Sequence, residues 1–289
     1  MNATLLQGKE IAGKIKEALK KEIEALKHKT GLVPRLVSIQ VGDNAASSVY
    51  INSQKKNAEA LGIEYELKVL GASATEEGLI KEIETMNGNK HVTGIIVQLP
   101  LPKGIDHRRV MSAISPLKDA EGMHPENLGH VLLGDAKLVP CTAQAAMELI
   151  ESTGTKLYGK EAVVIGHSEI VGKPLSLLLL NKFATTTVCH IATGERGVLP
   201  DHVKTAEILI VAVGKAELIK SEWIRTGATV IDVGINRVGD KLVGDVEFEK
   251  AKEKAAFITP VPGGVGPLTV TLLLRNVVTA FKLQHEIRN

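Results

Sequence analysis

Aromatic side chains are scarce in this sequence, with one Trp, three Tyr and four Phe in 289 residues. Any core must therefore be aliphatic, and a hydrophobic fraction of 44% is ample for one. Cysteine is nearly absent. Cys141 and Cys189 stand far apart with no CxxC pair, a spacing that supports neither a disulfide framework nor a thiolate zinc site. The nine histidines form no HxxxH or HExxH pattern, so no metal site is expected. Charge of either sign is not in excess. The formal net charge of +2 gives no electrostatic case for nucleic acid or for a membrane surface. No apolar run reaches membrane-spanning length, and the opening Met-Asn-Ala-Thr-Leu-Leu-Gln-Gly-Lys-Glu lacks the layout of a secretory signal. A cytoplasmic protein is the expectation.

What is present is alternation of helix-period and strand-like segments. Ile11, Ile15, Leu19, Ile23 and Leu26 recur at helical spacing among charges, which predicts an amphipathic helix over 9–28. Leu36–Val41, Ile63–Leu70 and Gly94–Val97 read as strands, with helices over 45–61 and 75–86 between them. That βαβαβ order predicts a parallel sheet covered by helices. The pattern restarts after Pro140. Strands are expected at 161–165, 185–189, 208–213, 229–233 and 257–259, with a helix over 171–181. The fold class expected is α/β, with two parallel-sheet domains and an interdomain cleft. The first would comprise 1–143 plus a returning helix in 268–289; the second, 144–267, would be Rossmann-like.

Two loops carry chemistry. Pro260 to Pro267 holds three prolines and three glycines in eight positions, just before an apolar helical run. Proline fixes φ and glycine permits close approach, so the segment is a shaped loop. It reads either as a rigid turn or as a loop presenting backbone N–H groups to a ligand. The second loop is Gly166-His-Ser168-Glu-Ile-Val-Gly172-Lys173-Pro174, at a strand-to-helix junction. It is a variant of the dinucleotide fingerprint, with Ser168 where the second glycine usually stands. The carboxylate that marks NAD at the end of the next strand is missing, since that position reads Thr187-Val-Cys-His190. Lys173, His190, His167 and Arg196 could meet a 2′-phosphate, which favours NADP over NAD. Glu195 argues the other way, and each basic residue could equally be an ordinary solvated side chain.

In the first half, Ser47-Ser-Val-Tyr50-Ile-Asn-Ser-Gln54-Lys-Lys56 lies on a predicted helix, and Val97-Gln98-Leu-Pro-Leu-Pro102 follows a strand. Lys118-Asp-Ala-Glu121-Gly-Met-His124 comes next. Taken singly, each has an ordinary structural explanation. Together with IDVGIN (231–236), GDV (244–246) and TPVPGGVGP (259–267), these words closely resemble the methylenetetrahydrofolate dehydrogenase/methenyltetrahydrofolate cyclohydrolase family, of the bacterial bifunctional type, over nearly the whole chain.

The resemblance implies hydride transfer from methylenetetrahydrofolate to NADP, then hydration of the methenyl product to 10-formyltetrahydrofolate. It implies that Tyr50 stacks on the folate, that Gln98 belongs to the catalytic cluster, and that Pro262, Gly263 and Gly264 close over folate and nicotinamide. Gly166, His167, Ser168, Gly172, Lys173, His190 and Ile235 would hold the nucleotide. It also implies a homodimer.

Two departures bear on function. The family has a lysine four residues after the tyrosine, and this chain has Gln54. Positions i and i+4 share a helix face, so Gln54 points where the ammonium should be, while Lys55 and Lys56 are rotated away. Glutamine cannot exchange a proton near neutral pH. Glu121 stands where the family has the aspartate that holds the pterin, with its carboxylate one methylene further out. A further difference, Ala143 in place of the usual proline, has no evident consequence. The expectation is a dehydrogenase with cyclohydrolase activity weak or lost, and a separate cyclohydrolase in the same pathway. The alternatives are a fully bifunctional enzyme using another proton route, and a silent folate- or nucleotide-binding protein.

Overall fold

A computed structural model describes residues 2–42 and 45–287. In chain order the elements are β1 (Thr4–Leu5), α1 (Gly8–Thr30), β2 (Arg35–Val41), α2 (Ala45–Leu61), β3 (Glu64–Leu70), α3 (Glu76–Gly88), β4 (Gly94–Val97), α4 (His107–Ala113), α5 (Pro125–Leu133) and α6 (Cys141–Ser152). There follow β5 (Glu161–Ile165), α7 (Gly172–Asn181), β6 (Thr185–Cys189), α8 (Ile191–Glu195), α9 (Leu199–Thr205), β7 (Ile208–Val211), β8 (Thr229–Asp232), β9 (Asn236–Val238), β10 (Lys241–Val243), α10 (Phe248–Ala251), β11 (Phe257–Ile258) and α11 (Val265–Gln284). The chain divides into two compact units, one of Lys14–Cys141 with Val270–Asn289, the other of Met1–Gly13 with Thr142–Thr269.

The first of these units carries a three-stranded parallel sheet in the order β3-β2-β4. Successive β2 residues point to opposite faces. Val37, Ile39 and Val41 pack with Ile95 and Val97 of β4 and with Leu79, Ile83 and Met86 of α3. Thr75 caps α3, its side chain accepting from the Gly78 N–H at 3.1 Å. The buried Lys118 ammonium donates to the carbonyls of Met86 (3.1 Å) and Asn89 (2.6 Å), satisfying the end of α3. On α11, buried Asn276 donates to the carbonyls of Ala120 (3.0 Å) and Val139 (2.9 Å). It ties that helix to the two segments flanking Glu121 and Cys141.

The other unit holds a six-stranded parallel sheet in the order β1-β11-β8-β7-β5-β6, a doubly wound α/β strand order with one added edge. Its core is aliphatic, built around Val163, Ile165, Leu209, Val211, Val230 and Ile258. Residues up to Gly13 group with this unit, because β1 pairs with β11. Helix α11 begins at Val265 and not, as expected, at Leu268. Pro267 is tolerated in its first turn, where an N–H has no intrahelical partner to lose. Among the described residues no helix is long and apolar enough to cross a membrane, and no cluster of His, Cys, Asp and Glu could hold a metal ion.

Candidate active site

Helix α2 places Tyr50 and Gln54 one turn apart, and Gln54 is completely buried. Gln98 continues the hydrogen bonding of β4, its N–H donating to the Ile39 carbonyl at 2.8 Å, so its side chain emerges at the strand's carboxyl end. Gln98 Nε2 donates to Gln54 Oε1 at 3.0 Å and to Ser38 Oγ at 2.9 Å. The Tyr65 hydroxyl donates to the same Gln54 oxygen at 3.2 Å. Gln54 Nε2 is buried without a well-formed hydrogen bond. Lys55 and Lys56 point to solvent, Lys55 lying 4.0 Å from Glu59. Neither supplies an ammonium to the cluster.

Glu121 completes the group. It is half-buried, and loss of solvation, with the Asp119 charge adding to it, pushes its carboxyl up to about 8. Burial raises the Tyr50 phenol well above its usual range, and the Glu121 charge contributes to that rise. Asp119 is itself structural: it accepts from the N–H groups of Gly122 (3.0 Å) and His124 (2.7 Å) and from Asn127 Nδ2 (2.8 Å). Tyr50, Gln54, Gln98 and Glu121 therefore lie in one neighbourhood. Ser38 and Tyr65 belong there too and were not anticipated. The available signal was a serine in the middle of a largely apolar central strand, Leu36-Val-Ser38-Ile-Gln-Val41.

In the other unit, Gly166 ends β5 with φ +113°, and a Cβ there would lie 2.3 Å from the Ala212 carbonyl. A Cβ on Gly172 would lie 2.0 Å from the Gly166 oxygen. Both glycines are therefore required for the tight strand-to-helix turn that leaves the N-terminus of α7 open. Ser168 Oγ accepts from the Val171 N–H at 3.2 Å and shapes that turn. His167 and His190 follow β5 and β6, both exposed, with ring centroids 5.3 Å apart. Lys173 stands in the first turn of α7, its N–H donating to the Ser168 carbonyl at 3.0 Å and its ammonium 3.6 Å from Glu169. Arg196 and Glu195 are exposed at the end of α8.

The loops beyond β7, β8 and β11 are bound into one network. Asp232 accepts from the N–H groups of Gly234 (3.0 Å), Asp245 (3.0 Å) and Val246 (2.9 Å). Asp245 accepts from Val213 (2.7 Å), Gly214 (3.0 Å) and Lys215 (2.8 Å), and from Asn236 Nδ2 (2.8 Å). Thr259 Oγ1 accepts from the Asp232 N–H at 2.7 Å. Ile235, 60% exposed, projects from the loop so held. In the Pro/Gly loop, Gly263 has φ +114°, and the Gly264 N–H donates to the Pro260 carbonyl at 2.8 Å. The Gly8 N–H holds the Gly263 carbonyl at 3.0 Å, and a Cβ on Gly8 would strike the Gly264 oxygen at 1.8 Å. Pro262 stays exposed on this braced loop.

A parallel-sheet unit with a glycine-lined strand-to-helix turn, joined to a unit bearing a Tyr–Gln–Gln–Glu group with both glutamines buried, defines a two-domain dinucleotide-dependent enzyme class. Comparison with known proteins narrows it. Residues 6–121 match the tetrahydrofolate dehydrogenase/cyclohydrolase catalytic domain, and 140–285 match the NAD(P)-binding domain of the same family. The bifunctional protein FolD of Bacillus pumilus is 51% identical over 98% of this chain and 99% of its own. The crystal structure of the FolD dehydrogenase/cyclohydrolase of Campylobacter jejuni superposes with a TM-score of 0.94 at 43% identity, covering 97% of this chain and 99% of that one. The Trypanosoma brucei enzyme complexed with NADP and an inhibitor gives a TM-score of 0.94 at 39% identity, covering 100% of both chains. The chain belongs to the tetrahydrofolate dehydrogenase/cyclohydrolase family.

Proposed function

We propose that this protein oxidises 5,10-methylenetetrahydrofolate to the methenyl form with NADP, and that its methenyl hydrolysis is weak or lost. The observation that carries the second part is Gln54, fully buried among Tyr65, Gln98 and Ser38 with no lysine beside it on the exposed side of α2. NADP, when bound, supplies the hydride-accepting carbon. The turn at Gly166 and Gly172 fits its pyrophosphate, since only residues without a Cβ clear the backbone there. His167 and His190, with no carboxylate ending β6, suit the 2′-phosphate of NADP over the bare ribose of NAD.

The two reactions make different demands. Loss of a hydride leaves a cation shared by two nitrogens, and the protein's task is to hold donor and acceptor carbons in line. Tyr50 offers a half-buried ring for the folate, and neutral Gln54 adds no repulsion to the developing cation. Hydrolysis requires a water to lose protons as the ring opens. Positioned acid–base catalysis contributes about 10²–10⁴-fold to such steps, and an amide cannot supply it. A separate cyclohydrolase would then complete the conversion in the cell.

Full bifunctionality is the second reading, favoured by Glu121. A carboxyl pushed up to about 8 can exchange protons near neutral pH. The test is to purify the chain and follow NADPH formation and methenyl decay separately, with NADP and NAD in parallel. Hydrolysis well above the uncatalysed rate would overturn the proposed loss. Reduction of neither cofactor would favour a silent binder. Gln54→Lys is expected to raise hydrolysis within the 10²–10⁴-fold range of about one acid–base group.

The homodimer has support in β3. It is one of the two edges of its sheet, and its Leu67 (40%) and Val69 (58%) are exposed apolar side chains. Sedimentation should show a dimer that Val69→Lys weakens, and a wild-type monomer at micromolar concentration would refute it.

A further inference from the structure

The Gln54 amide is locked in one direction. Gln98 uses both Nε2 hydrogens, one on Ser38 Oγ and one on Gln54 Oε1. Burial raises the Tyr65 phenol above its usual range, and the Ser38 hydroxyl, donating to the phenolic oxygen, works against that rise. The Tyr65 hydroxyl donates its own hydrogen bond to Gln54 Oε1. Every proton in this ring has one direction, and two donors converge on one amide oxygen. Gln54 Nε2 is what remains: buried, with no well-formed hydrogen bond, and leaning only on the Tyr50 phenol one helical turn away, whose ionised form it favours. Leaving such a group unmade costs about 1–3 kcal/mol, so a molecule that supplies an acceptor recovers it on binding. Two donors on the oxygen also polarise the amide, which strengthens its N–H as a donor.

We propose that Tyr65 is a positioning residue. Its phenol anchors Gln54 Oε1 so that Gln54 Nε2 is presented as a fixed, uncharged hydrogen-bond donor to an acceptor atom, an imine nitrogen or carbonyl oxygen, of the bound folate. The inference rests on the reading of this cluster as the folate site. It gives Gln54 a task that needs no proton exchange and assigns Tyr65 and Ser38 to specificity.

The experiment is a double-mutant cycle on the full chain, with methylenetetrahydrofolate and NADP as substrates, using Tyr65→Phe, Gln54→Met and the pair. Tyr65→Phe removes one oxygen. It is expected to raise the KM for folate about 3- to 10-fold, the worth of one hydrogen bond, and to leave the KM for NADP unchanged. In the Gln54→Met background the same change should have no further effect, because the group it positions is gone. An equal effect of Tyr65→Phe in both backgrounds, or an equal rise in both KM values, would show a merely structural tyrosine and overturn the proposal. No effect of Gln54→Met on the KM for folate would sink the folate-site reading itself. A raised KM in Gln54→Met with none in Tyr65→Phe would sink only the positioning role. Should Tyr65→Phe lower the melting temperature into the assay range, Ser38→Ala serves as a second probe of the ring, with the same expected loss of effect beside Gln54→Met.

Discussion

Glu121 sets a pH dependence that can be worked out in advance. Burial, reinforced by the charge of Asp119, pushes its carboxyl up to about 8, so at neutral pH the free protein holds it mainly as the acid. The pterin edge offers N–H donors, and a carboxylate accepts from them where a carboxylic acid presents a competing proton. If the ionised form is the one that binds, the KM for folate exceeds its alkaline plateau about 11-fold at pH 7 and about 2-fold at pH 8. The turnover number at saturating folate should stay flat, because the bound enzyme already holds the carboxylate. The assay is the initial rate of NADPH formation at saturating NADP across pH 6 to 9. Glu121→Gln should give a high KM with no step, and Glu121→Asp should keep a step. A flat wild-type profile, or a step that survives in Glu121→Gln, refutes the reasoning. Stability follows the same titration. The native carboxyl, titrating at about 8, keeps a proton that the unfolded chain releases near the ordinary glutamate value of 4.5. The raised value favours the folded state most below the unfolded pKa, and that contribution is lost as pH rises through about 8, the reverse of an ion-paired carboxylate. Glu121→Gln should therefore flatten the fall in stability over that window.

Two substitutions test the scaffold. Gly244→Ala would place a Cβ 1.9 Å from Asp232 Oδ2, and it should destabilise the nucleotide unit by about 1–3 kcal/mol, read as a lower denaturant midpoint. An unchanged midpoint would mean that the aspartate network yields freely. Asn276→Ala leaves the Ala120 and Val139 carbonyls without their donor, and about 1–3 kcal/mol of stability should be lost, with the KM for NADP unaffected.

Strands β5 and β7 were legible because buried parallel strands read as unbroken aliphatic runs, here Ala-Val-Val-Ile and Ile-Leu-Ile-Val, and β8 through its β-branched Thr-Val-Ile. Strand β1 was not. It has two residues, both exposed, and its partner β11 lies at the far end of the chain, so neither alternation nor burial marks it. The words IDVGIN, GDV and TPVPGG were legible as a resemblance, but their physics was hidden. Asp232, Asp245 and Thr259 look like site residues and instead serve as acceptors that bind three loops together, with Gly234 and Gly244 small because those carboxyls press on them.

The folate-side cluster shows the same division. Tyr50 and Gln54 could be paired from helical spacing alone, since i and i+4 share a face. Ser38 and Tyr65 come from two neighbouring strands, and a lone serine or tyrosine in a strand has no spacing to betray its partner. Yet they decide what Gln54 can be. An amide free to rotate could offer either its oxygen or its nitrogen to a ligand. With Gln98 and Tyr65 both donating to its oxygen, it offers only the nitrogen, and it does so uncharged at every pH. Loss of the ammonium therefore need not leave a degraded site. The surrounding polar groups are arranged for an amide in one orientation, and the proposed hydride transfer needs no more from it than a fixed donor.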